Sequence, residues 1–203
     1  MGKLRIAVLG STRGTDMQAI IDAIQKGELD AEIVVVISDK KDALILDRAK
    51  MNNIETFTVD YLAVETRKEA EEEIAKKLRE KDAELILLIG YMKVLTVYFV
   101  DEFRRRIWNI HPSLLPKYAG STDTNVHELV IKNHDRETGC TLHEVTENID
   151  SGRIILQKKI EVSEADTPET LKEKVQKIEG ECFLEAIKMV TEGKISIGDS
   201  SGQ

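Results

Sequence analysis

Asn109 and His111 stand two residues apart in WNIHPSLLPKYAG, residues 108–120. On an extended strand that spacing turns both side chains to one face. An amide and an imidazole on one face can address a single reacting atom, one by donating a hydrogen bond and the other by exchanging a proton or supplying charge. Two of the chain's three prolines, Pro112 and Pro116, follow at once. Each fixes its own φ and restrains the residue before it, so the strand has a stiff exit. Rigid framing of this kind suits a site that must hold its groups within a fraction of an ångström. A carboxylate would complete the set, and TENIDSGRI (146–154) offers Asp150 just before Gly152. Beside His111 it would orient the ring and raise its pKa. Each residue also has a structural reading: an Asn at a strand end, a satisfied His, an Asp that serves its turn.

A second polar turn is GSTRGTDMQ, residues 10–18. A glycine-containing turn that enters a helix can present backbone N–H groups to an anion, helped by the helix dipole. Arg13 could add a charge-assisted contact, whereas Asp16 brings like charge or caps the helix. The turn is neither the full dinucleotide fingerprint nor the lysine-bearing phosphate loop. An anion site and a plain strand-to-helix turn both fit it.

These residues need elements to position them. LRIAVLG (4–10) is a continuous apolar run, as in a strand buried on both faces. Helix spacing follows at 17–27, with Gly27 as a C-terminal cap. Strands are expected at 32–39, 55–60, 84–91 and 106–111, and helices at 43–53, 66–80 and 97–106. This alternation implies an α/β fold, a mostly parallel twisted sheet flanked by helices on both faces. Ligands of such sheets bind at the carboxyl ends of the strands, where both polar turns fall. The last third differs. CTLHEVT (140–146) alternates as an edge or antiparallel strand, 152–162 is another strand, and 167–193 is a long helix with Thr167 as N-cap and Pro168 at its first position. The tail KISIGDSSGQ is expected to fray.

Length and charge set limits. The 203 residues suit one domain, a nucleotide-binding-like half (1–111) and a half that completes the site (112–203). A net charge of −8 disfavours a nucleic-acid platform. Two cysteines cannot build a disulfide framework and fit a reducing cytoplasm. No apolar run approaches a membrane span of ~20 residues. His127, His134 and His143 have no metal-ligand spacing, so no metal is expected; they read as surface or strand residues.

NIHPSLLPKYAG followed by ENIDSG resembles the folate-dependent formyltransferase family, which pairs an Asn with a His two residues on and a downstream Asp. The likeness extends to MQAIIDAI in the first helix, VVISDKKDALILDRAK (35–50), LLIGYMKVL (87–95) and VQKIEG (175–180). It implies that Asn109, His111 and Asp150 are catalytic and that 10-formyltetrahydrofolate is the formyl donor. It also implies the amine of glycinamide ribonucleotide as acceptor, with no metal. The resemblance puts the acceptor's phosphate on Thr12, Arg13, Gly14, Thr15 and Asp16, and its ribose near Glu179. It lays the folate against Met92, Lys93, Val94 and Leu95 and against Val145, Thr146 and Asn148, with Arg67 at an anionic end. In this reading Asn109 and a protonated His111 stabilise the oxyanion, and Asp150 keeps the imidazole charged. The implied partners are small molecules only, with the protein a monomer or homodimer. Two departures stand out. The family's Gly-x-Gly-Ser-Asn phosphate turn is here Thr12-Arg13-Gly14-Thr15-Asp16, and STDTNVHE after Gly120 is longer and more polar than the common form. Other readings of the same residues are a formyltetrahydrofolate hydrolase, transfer to another small amine, and a non-catalytic folate- or nucleotide-binding module.

Overall fold

Seven strands form one sheet in the order β3-β2-β1-β4-β5-β6-β7 in the computed structural model, which describes residues 2–121 and 123–198. The strands are β1 (Leu4–Leu9), β2 (Ala31–Ser38), β3 (Thr56–Thr58), β4 (Leu85–Leu88), β5 (Ile107–His111), β6 (Glu137–Glu144) and β7 (Ile154–Glu161). The first five are mutually parallel, and β6 and β7 run antiparallel. CTLHEVT is therefore an interior strand; the edge is β7. The helices are α1 (Thr15–Gln25), α2 (Leu44–Met51), α3 (Arg67–Glu80), α4 (Val97–Glu102), α5 (Asp123–Lys132) and α6 (Pro168–Thr191).

Alternation along the buried strands divides the core in two. Ile6, Val8, Leu85, Leu87 and Trp108 pack with α1, α2 and α6. Their neighbours Ala7, Leu9, Ile86, Leu88 and Ile107 pack with α3 and α4 on the other face. Burial on both faces is why these strands read as continuous apolar runs. Helix starts follow local chemistry. Thr66 accepts a hydrogen bond from the Glu69 N–H, Thr96 from Phe99, and Thr167 from Thr170, where the Thr170 hydroxyl oxygen accepts in return from the Thr167 N–H. Each cap satisfies a backbone donor that the first helical turn leaves open.

One helix went unread in the sequence. STDTNVHE opens α5, whose Val126 and Val130 lie one turn apart and pack on Leu171 of α6. The fraying tail falls partly on residues 199–203, outside the described residues; Ile195 and Ile197 pack against the main core. Among the described residues no helix is long and apolar enough to cross a membrane.

Candidate active site

The sheet order reverses between β1 and β4, and two cavities open beside the carboxyl ends there. The first, about 440 Å³, lies on the α1 and α6 side. Thr12, Arg13, Gly14, Thr15 and Asp16 line it from the turn after β1, and Glu179 lines it from α6. Gly14 is the N-cap of α1 with φ 68°, and a Cβ there would sit 2.4 Å from Ile45 Cγ1. Only glycine combines that backbone with that approach. Gly90, across the cavity, has φ 61°, and its Cβ would meet the Thr12 hydroxyl at 2.2 Å. The two glycines thus let backbone crowd around the mouth of α1.

The second cavity, about 190 Å³, lies on the other side of β5. Lys93, Val94 and Leu95 form one wall, and Val145, Thr146, Asn148 and Asp150 the other. Asn109 and His143 form its floor. Met92, expected beside Lys93, lines the first cavity, while Tyr91 and Lys93 on either side of it line the second. Arg67 is exposed at the start of α3 and lines neither cavity.

Asn109, His111 and Asp150 do meet. His111 Nδ1 lies 3.2 Å from Asp150 Oδ2, and both side chains are nearly inaccessible. Asp150 reaches inward from a turn with φ 52°, a left-handed backbone that Asp tolerates better than most residues. Gly120 N–H donates to Asp150 Oδ2 at 2.8 Å, tying the proline-framed turn to the carboxylate. His111 Nε2 lies 3.1 Å from the Tyr118 carbonyl oxygen, so the same turn covers the ring. Tyr118 is pinned in turn, donating from its hydroxyl to Asp135 at 2.8 Å and accepting from Asn133 at 2.7 Å.

Opposing effects meet at His111. Burial lowers its basicity, Asp150 and the Tyr118 carbonyl raise it, and burial outweighs them, leaving the pKa below its ordinary value. Asp150 moves the other way than burial alone would take it. Desolvation favours its neutral form, yet hydrogen bonds from His143 and Gly120 and the two rings' electrostatics hold its pKa below the usual carboxylate value.

His143 is a site residue that the sequence reading assigned to the surface or a strand. It is buried opposite Asn109 in the β5–β6 register. Its Nδ1 donates to the Glu144 carbonyl at 2.9 Å. Its Nε2 lies 3.2 Å from Asn109 Nδ2 and 3.4 Å from Asp150 Oδ1. The ring's Nε2 thus touches the amide and the carboxylate together and so packs Asn109 against Asp150. His127 is likewise buried, on α5, and lines the first cavity. His134 alone of the three is exposed. Among the described residues no group of three or more His, Cys, Asp or Glu is arranged to hold a metal ion.

An amide donor beside an imidazole–carboxylate pair, between two cavities of small-molecule size, has the layout of a group-transfer site that handles a carbonyl carbon. The chain belongs to the formyl transferase family, whose model matches residues 4–187. It is 39% identical over 196 residues to the phosphoribosylglycinamide formyltransferase of Haemophilus influenzae, covering 97% of this chain and 91% of that protein. It is 38% identical over 198 residues to the trifunctional purine biosynthetic protein adenosine-3 of Gallus gallus; that match takes in 98% of this chain but only 19% of the longer protein. The crystal structure of the Coxiella burnetii phosphoribosylglycinamide formyltransferase superposes with a TM-score of 0.91 at 38% identity, covering 97% of this chain and 91% of that one.

Proposed function

We propose that this protein transfers the formyl group of 10-formyltetrahydrofolate to the primary amine of glycinamide ribonucleotide, in the cytoplasm, as a step of purine synthesis. The observation that carries the reading is the meeting of Asn109, His111 and Asp150 where the two cavities approach each other. The relatives' names support the choice of acceptor and donor.

In this reading the acceptor lies in the first cavity, with its phosphate at the mouth of α1 and its ribose at Glu179. The folate lies in the second, against Lys93, Val94 and Leu95. The amine attacks the formyl carbon and the carbonyl oxygen becomes negative. Asn109 donates to that oxygen from its side-chain amide. His111, with its hydrogen on the Nδ1 that faces Asp150, takes on Nε2 the proton released by the attacking amine and becomes imidazolium, where its charge stabilises the oxyanion. The C–N10 bond then breaks, and N10 receives the proton. His111 reaches the reacting atoms with Nε2 once the Tyr118 carbonyl gives way, while Nδ1 stays on Asp150. No covalent intermediate and no metal enters the scheme. Residues 1–111 and 112–203 act as one domain, since the second part supplies Asp150 and Glu179 to a site built on the first.

One observation favours testing other amines. Asp16 puts a carboxylate in the first turn of α1, in the cavity assigned to a phosphate. The test is formyl transfer from 10-formyltetrahydrofolate with glycinamide ribonucleotide, with other small amines, and with no acceptor. Product that requires glycinamide ribonucleotide supports the proposal. Transfer only to another amine replaces the acceptor. Equal folate release without any amine makes the protein a hydrolase, and binding without turnover makes it a binding module.

A further inference from the structure

Between the two cavities runs one short segment, Gly90 to Lys93. Gly90 and Met92 face the first cavity, and Tyr91 and Lys93 face the second. Ligands in the two cavities would therefore lie against opposite sides of the same four-residue segment. What fixes them lies off both cavities, at the carboxyl ends of β1 and β2.

Asp39 follows β2, and its side chain is only 4% exposed. The Ser11 hydroxyl, just after β1, donates to Asp39 Oδ1 at 2.5 Å. The Ser11 oxygen in turn accepts from the Met92 N–H at 3.0 Å, and the Ser11 N–H donates to the Gly90 carbonyl at 3.1 Å. The other carboxylate oxygen of Asp39 lies 3.8 Å from Lys93 Nζ. Lys93 Nζ also sits 5.1 Å from the centroid of the Tyr61 ring, whose hydroxyl is 3.0 Å from that of Tyr91. Burial pushes the Tyr61 hydroxyl up to about 12 and raises Tyr91 as well, so the tyrosines add no charge at neutral pH. Asp39 and Lys93 are thus the charged pair of this cluster.

A hydroxyl that donates to a carboxylate is polarised, and its oxygen becomes a better acceptor. The Asp39 carboxylate accordingly strengthens the hold on the Met92 N–H at one cavity and restrains the Lys93 ammonium at the other. We propose that Asp39 is a positioning residue that sets the shared wall of both cavities, one oxygen acting through Ser11 on the acceptor side and the other through Lys93 on the folate side. This inference rests on the ligand assignment given under Proposed function. It requires no contact between Asp39 and either ligand.

The two oxygens can be separated by mutation. Asp39→Asn keeps an acceptor for Ser11 and loses the charge that Lys93 meets, whereas Asp39→Ala loses both. Asp39→Asn is expected to raise the KM for 10-formyltetrahydrofolate about fivefold while the KM for the amine stays within twofold of wild type. Asp39→Ala is expected to raise both about fivefold or more, with kcat changed less than either KM. Ser11→Ala is expected to raise the amine KM alone. Melting temperatures and calorimetric Kd values for 10-formyltetrahydrofolate are measured on the same proteins, so binding is read without turnover. Lower melting temperatures with unmoved KM and Kd would leave Asp39 a fold residue and overturn the inference. So would equal effects of Asn and Ala on both ligands. Wild-type protein that binds the folate but transfers nothing would count against the proposed reaction, while the Asp39→Asn shift in folate Kd would still decide the Lys93 arm.

Discussion

The two cavities are built by different means. The first is made of chain ends: a turn held by Gly14, the mouth of α1, and Glu179 reaching in from α6. The second is made of strand register: Asn109 and His143 paired across β5 and β6, with Asp150 turned back over them. Helix-end sites offer backbone donors and a dipole, which suit an anion that must be held. A register-built site offers side chains fixed against one another, which suit a charge that appears only during reaction. The proposed function makes the first cavity a place where an anion is held and sets the reaction beside the second, and each proposal can be broken by substitution.

The largest effect belongs to the second cavity. Asp150→Asn keeps the shape of the turn but removes the charge beside His111. Turnover is expected to fall about 10²- to 10³-fold, the scale of losing a preorganised charge-stabilising group, with both KM values within a few-fold. Steady-state kinetics checks it, and a melting curve close to wild type shows that the fold is kept. Near-normal turnover would remove the carboxylate from the chemistry.

A smaller loss is expected from His143→Ala. The amide of Asn109 then loses the ring that positions it, and kcat should fall about tenfold, roughly one hydrogen bond's worth. The combined Asn109→Ala, His143→Ala protein should be little worse than Asn109→Ala alone, because His143 acts through Asn109. Additive losses would contradict that route. In the first cavity, Glu179→Gln should raise the amine KM by about tenfold or less and leave kcat unchanged, the mark of an interaction made equally in the ground and transition states. A fall in kcat there would erase the division between the cavities.

The parallel half of the fold was legible because its strands are buried on both faces and read as apolar runs. Asn109, His111 and Asp150 were legible as candidates because two sit at period-two spacing beside prolines and the third stands in a turn between two expected strands; the family resemblance joined them into a set. His143 was not, since its importance lies in which residue it faces, and register between β5 and β6 leaves no mark on either strand alone. α5 left a faint signal, Val126 and Val130 four apart, hidden behind the polar STDTN. Which cavity Met92 lines is not written in the run LLIGYMKVL either, since that depends on how the chain leaves Gly90. The charge balance at His111 is hidden for a different reason. A nearby carboxylate can be inferred from sequence, but the depth of burial that overrules it cannot.

That charge balance is the centre of the account, and NMR titration of the His111 ring measures it directly, with His111→Gln to assign its signals. A neutral base beside ionised Asp150 predicts that the ring titrates below 6.5, and lower still in Asp150→Asn, where the pull of the carboxylate is gone. Protonation of the free enzyme's ring would then be complete only at acid pH, and folding stability contributed by the neutral ring would be lost as pH falls below 6.5. A His111 ring that stays charged above pH 6.5 would contradict the account and restore a preformed imidazolium as the group that meets the oxyanion.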